Sequence, residues 1–98
     1  MWIGCIDFDI LLGDVRSLKE KRSIVRPLAA ELHRHFHVSV AEVGHLDLHR
    51  RAAVGVAVVS PDRQHAVDVL DAIERSVAGR PEIELLSARR RLFTPDDE

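Results

Sequence analysis

The spacing of apolar positions switches repeatedly between two residues and 3.6 residues along this chain. From Trp2 to Leu12 the period is two, with Gly4, Ile6, Phe8 and Ile10 on one parity and Asp7 and Asp9 on the other, which predicts a strand buried on one face. After Gly13-Asp14, Ser17 and Glu20 make the S-x-x-E pattern of a helix start, where side chains satisfy two orphan backbone amides. The helix then begins at about Leu18. It keeps Leu18, Lys21, Val25, Leu28, Ala29, Leu32 and Phe36 on one stripe, with Lys19, Arg22, Arg26 and His33 opposite. Pro27 lies inside it and is expected to bend it. Val38 to Val43 alternates again, Val54 to Val59 is a nearly continuous β-branched and small-residue run, and Gly44 to Arg51 joins them as the polar loop of a hairpin. Ser60-Pro61-Asp62 opens a second helix. Val67, Leu70, Ile73, Glu74 and Val77 give its period, with Ala66 beside them, and Gly79 and Pro81 stop it. Ile83 to Phe93 reads as the last strand.

The order β-α-β-β-α-β predicts an α+β, ferredoxin-like sandwich: a four-stranded antiparallel sheet with two helices on one face. Residues 1–94 form that single domain and residues 95–98 an acidic frayed tail. The topology gathers the start of the first helix, the end of the second strand and the hairpin loop at one end of the sheet. The other face of the sheet is left bare. Ile3, Cys5, Ser39, Ala41 and Val43 point to it, and the third strand adds Ala53, Gly55, Ala57 and Val59. Base-stacking modules built on this architecture carry aromatic side chains there. A small, mostly apolar face favours instead a partner sheet, and a homodimer through it is one expectation.

Composition narrows the function classes. With 46% hydrophobic and 31% charged residues in 98, the chain has the balance of one folded domain. Its net charge of −2 gives no global pull towards nucleic acid or anionic lipid, so any such contact must be local. The one cysteine, Cys5, excludes an internal disulfide and a cysteine-only zinc site and fits a reducing compartment such as the cytoplasm. No apolar run reaches the ~18 residues that span a bilayer, and Asp7 and Asp9 interrupt the stretch where a signal peptide stays apolar.

The local candidate is Arg16-Ser17-Leu18-Lys19-Glu20-Lys21-Arg22. Basic residues at a helix start oppose the macrodipole, and a bound anion offsets that. Lys19, Arg22 and Arg26 share the solvent face at spacings suited to successive phosphates, and the topology brings Arg50 and Arg51 towards Arg16, with Asp14 and Asp47 as partial counter-charges. Arg16, Lys19, Arg22, Arg26, Arg50 and Arg51 are therefore the candidate nucleic-acid contacts, with RNA or the ribosome as partner. The bland alternative is a solvated helix face. Lys21 differs, because it sits among apolar residues; a structural ion pair with Glu42 is expected.

Other chemistry finds little support. His33 and His37 share a side only if the helix runs that far, and His45-x3-His49 lacks ligands unless Asp47 joins, so no metal site is assigned. No nucleophile elbow, phosphate-cradling glycine loop or metalloprotease motif occurs, and no catalytic residue, cofactor or small-molecule substrate is assigned. Asp7 and Asp9 are read as surface ion-pair partners and Arg89, Arg90 and Arg91 as protection of an edge strand.

The segments Ser17 to Arg22, Val38 to Val43, and Ala53 to Val58 after a loop containing Asp47 resemble the YlxP-like family of small bacterial domains of unknown function. The resemblance covers nearly the whole chain. It implies a ferredoxin-like fold in a bacterial cytoplasmic protein. Such domains are often encoded beside transcription, translation-initiation and ribosome-maturation factors, so the resemblance associates them with RNA. It also implies an aromatic residue where His49 stands and asparagine where His37 stands; if a loop aromatic does the binding in relatives, this chain lacks it.

Overall fold

Alternation and capping translate directly into six elements. The computed structural model describes residues 1–96 and contains β1 (Trp2–Leu12), α1 (Leu18–Phe36), β2 (Ser39–Gly44), β3 (Arg51–Ser60), α2 (Arg63–Ala78) and β4 (Ile83–Phe93). Asp97 and Glu98, the last residues of the expected acidic tail, lie outside the described residues. The sheet order is β2-β3-β1-β4, every pair antiparallel, which is the ferredoxin-like arrangement.

The helix ends follow their capping residues. Ser17 is extended and its Oγ accepts the Glu20 N–H at 3.1 Å, while the Glu20 carboxylate accepts from the Arg16 N–H at 3.0 Å, one residue before the usual position of that return bond. Pro27 falls on the exposed side and does not interrupt the helix. α1 stops at His37, whose left-handed backbone (φ 56°) turns its N–H back to the His33 carbonyl. Asp62 caps α2 by accepting the His65 N–H at 3.1 Å.

Between sheet and helices lies the core. Ile6, Phe8, Ile10 and Leu12 of β1 are buried against Val25, Leu28 and Leu32 of α1 and Leu70, Ile73 and Val77 of α2. Gly4 continues the same face: a Cβ there would sit 2.9 Å from Leu70 Cδ1, so the missing side chain admits α2 to the sheet. β3 starts three residues before the apolar run at Val54, because its ladder with β1 extends to Leu11↔Arg51. That extension fixes the face of Arg51. Ala52 opposite Ile10 is a core position, so Arg51 and Ala53 point away from the helices. No helix of the described residues is long and apolar enough to cross a membrane.

Candidate nucleic-acid interface

α1 carries charge on both faces, and the two are used differently. On the inner face Lys21 is 2% exposed, yet it is fully satisfied. Its Nζ lies 2.7 Å from Glu42 Oε2 and donates to the carbonyls of His45 and Leu48, both at 2.7 Å. The ammonium thus donates two hydrogen bonds to backbone carbonyls and faces one carboxylate counter-charge. Glu42 Oε2 is buried and, among the described residues, accepts no hydrogen bond, so its charge is balanced through the Lys21 ammonium. Because both acceptors are backbone atoms of the β2–β3 loop, Lys21 also pins that loop against the start of α1. The turn there needs His45 at φ 54°, and the Leu48 N–H closes it on the His45 carbonyl at 3.0 Å.

On the outer face Lys19, Arg22 and Arg26 are exposed, and among the described residues none of them has a carboxylate within ion-pairing distance. His33 continues the row. At ~100° and ~1.5 Å per residue these four side chains fall within about 60° of arc over about 21 Å of helix, a span of several phosphates. His33 Nδ1 is held by the Val38 carbonyl at 2.8 Å, which fixes the ring. Beyond it a groove of about 780 Å³ opens between the end of α1 and the β2–β3 strands, lined in part by Arg34, His37 and Ser39. Arg34 and His37 extend the basic surface in a way the sequence pattern does not reveal; only the folded-back chain after Phe36 places them beside a strand.

The loop cations behave differently from the expectation. Arg16 is largely exposed and 3.5 Å from Asp14. Arg50 is held by its Nε on the Gly13 carbonyl at 3.1 Å. Arg51 is not brought to this surface at all. It lies on the bare face of the sheet and grips Asp9 with a fork, Nε to Oδ1 at 3.2 Å and Nη2 to Oδ2 at 2.6 Å, and His45 Nε2 stands 3.6 Å from the same carboxylate. The set of six candidate contacts therefore loses Arg51, for a reason of strand parity.

Several cations elsewhere find anions. Arg89 pairs with Asp7 at 3.1 Å, Arg90 turns to the helix side and pairs with Asp71 at 2.8 Å and Glu74 at 3.3 Å, and Arg80 pairs with Glu31 at 3.1 Å. The Arg80 hydrogen bond, more than its charge, holds the Glu31 carboxyl below its ordinary pKa. The Arg91 guanidinium lies over the Phe93 ring, 4.4 Å from its centroid. Asp7 and Asp9 are thus both ion-paired. His37 is the αL residue that ends α1, and among the described residues no group of three or more His, Cys, Asp or Glu is placed to hold a metal.

The comparisons with known proteins agree with this architecture. Residues 3–90 match the family model described as a protein of unknown function, DUF503. The chain belongs to this family. Across 91 residues this DUF503 domain is also 31% identical to the uncharacterized protein YlxP of Bacillus subtilis (strain 168), covering 93% of this chain and 99% of that one. Among solved structures the domain is similar to a point mutant of SnoaB, a cofactor-independent oxygenase from Streptomyces nogalater, at 13% identity and a TM-score of 0.51, covering 99% of this chain and 95% of that one. At that identity the likeness concerns the fold alone.

Proposed function

We propose that this DUF503 domain is a non-catalytic RNA-binding module of the cytoplasm that grips backbone phosphates, on the ribosome or on free RNA, with the outer face of α1. The observation that carries the reading is the row of Lys19, Arg22 and Arg26, exposed and, among the described residues, without carboxylate partners, on a molecule that pairs Arg51, Arg80, Arg89 and Arg90. Holding three like charges together on one helix face is unfavourable in the free protein, and a polyanion relieves it. Arg16 stands just before the helix at the N-terminal end of the row, and the Arg34 groove receives the strand at the other. The bare sheet face is a poorer RNA surface, because its β1 row carries Asp7 and Asp9 and its Phe93 ring is already covered by Arg91.

The test is sedimentation of cell extract through sucrose gradients at low and moderate salt, comparing wild type with a Lys19→Glu, Arg22→Glu, Arg26→Glu variant whose fold is checked by circular dichroism. Expected is salt-sensitive travel of the wild type with ribosomal or other RNA-containing fractions, lost in the variant. Wild type remaining at the top of the gradient at every salt overturns the reading.

A further inference from the structure

We propose that the bare face of the sheet is the contact between two copies of this chain, packed sheet on sheet. The centre of that face is built from small side chains, Cys5, Ala41, Gly55 and Ala57, with exposed Val43 and Val59 beside them. Bulging of β2 between Glu42 and Gly44 throws Val43 over Gly55, where an added Cβ would stand 3.0 Å from Val43 Cγ1. The result is a shallow apolar trough of about 650 Å³ between Val43 and the Arg89 and Arg91 side chains. It is open along its length, so a small ligand would leave much of its surface in water, whereas a second flat sheet covers it throughout.

Size and charge both fit a copy of the same face. With strands ~4.8 Å apart and rising ~3.4 Å per residue, the face covers about 600 Å². Two copies together remove about 1,200 Å² from water, where stable interfaces begin. The strand registers place Arg51, Arg89 and Arg91 on this face with Asp7, Asp9 and Glu84, three cations against three anions. Equal faces therefore meet without net repulsion, and Asp7 and Asp9 arrive already paired, so few charges are left to desolvate alone. A face-to-face pair leaves Lys19, Arg22 and Arg26 on the outer surface of each α1 free, whereas the groove beside Arg34 shares Ala57 and Val59 with the sheet face.

Sedimentation equilibrium over a dilution series tests it. The wild type is expected at about 22 kDa, twice the 11.0 kDa of one chain, at the higher concentrations. Ala41→Glu and Ala57→Glu set like charges against each other across the two-fold and are expected to raise the dissociation constant about a hundredfold or more. Lys19→Glu leaves the mass unchanged. Cys5 supplies a second readout that needs no variant: its modification by a thiol reagent slows as the wild-type concentration rises, which decides the matter even where a variant fails to fold. A wild type that stays at 11.0 kDa throughout, or a dimer that survives both substitutions with Cys5 equally reactive at all concentrations, overturns the proposal.

Discussion

The chain contains two lysines, Lys19 and Lys21, two residues apart on the same helix, and they have opposite fates. Lys21 is sealed beneath the β2–β3 loop with two carbonyl acceptors and a carboxylate counter-charge; Lys19 stands in solvent with neither among the described residues. A step of 200° around the helix separates a charge spent on holding the fold from a charge left for a partner. What decides is the geometry of the neighbouring loop, since Glu42 and the carbonyls of His45 and Leu48 converge on one position and on no other in the first turns of α1.

The largest effect should follow from removing the inner lysine. Lys21→Met keeps the aliphatic stem but leaves Glu42 Oε2 buried without a counter-charge and two loop carbonyls without a donor. Breaking a buried pair this way costs about 3 kcal/mol, or roughly 15 °C in Tm for a domain of this size. Thermal unfolding followed by circular dichroism measures it. Glu42→Leu added to Lys21→Met should recover part of the loss by removing the stranded carboxylate, leaving about 1–2 kcal/mol for the two carbonyls. A Lys21→Met variant as stable as wild type would erase the distinction between the two lysines.

Reversing the outer row tests the other side of the same distinction. Lys19→Glu, Arg22→Glu and Arg26→Glu together should change stability by no more than about 0.5 kcal/mol each, because no ion pair among the described residues is lost. RNA affinity at ~0.1 M salt should nevertheless fall about a hundredfold, with the slope of log affinity against log salt reduced by about one per contact. Fluorescence anisotropy with a labelled structured RNA gives both quantities. A large loss of stability with unchanged affinity would exchange the roles assigned to the two faces.

Much of this is legible in the sequence, and the failures have a common cause. β1 announces its buried face through Gly4, Ile6, Phe8 and Ile10, and the helical wheel alone singles out Lys21, since a lysine amid Val25, Leu28 and Leu32 must find a partner. Its carbonyl acceptors stay hidden because they belong to the backbone of a turn that side-chain pattern does not describe. Arg51 is misplaced when the strand is begun at Val54: counted back by alternation from Val54, Ala52 falls inward and Arg51 outward. Arg34 and His37 escape notice because their surface exists only where β2 returns alongside α1.

A milder consequence of the sheet side can be read at Arg51. Its fork onto Asp9 spans β3 and β1 at half-buried positions. Arg51→Ala should cost about 1 kcal/mol in denaturant unfolding, more than any single substitution in the outer row of α1, and should leave RNA affinity unchanged. Equal losses of affinity for Arg51→Ala and Lys19→Ala would return Arg51 to the binding surface and undo the separation by strand parity.

The smallest effect belongs to a charge between these extremes. Glu31 is on α1, exposed, and bound by Arg80 from the α2–β4 connection, so it is neither sealed like Lys21 nor, like Lys19, without a partner among the described residues. The Arg80 hydrogen bond, assisted by its charge, lowers the Glu31 pKa from the ordinary 4.5, which means the folded state holds that proton less tightly than the unfolded state. The pair's contribution is therefore complete above the ordinary carboxylate pKa and is lost as pH falls through the lowered value. Glu31→Gln keeps an oxygen for Arg80 to donate to and removes only the charge. Its Tm should lie slightly below that of wild type at neutral pH, and the two should converge at strongly acidic pH, measured by thermal unfolding across a pH series. Solvent screening keeps the difference small, and a gap that widens on acidification would show that Glu31 acts through something other than its charge.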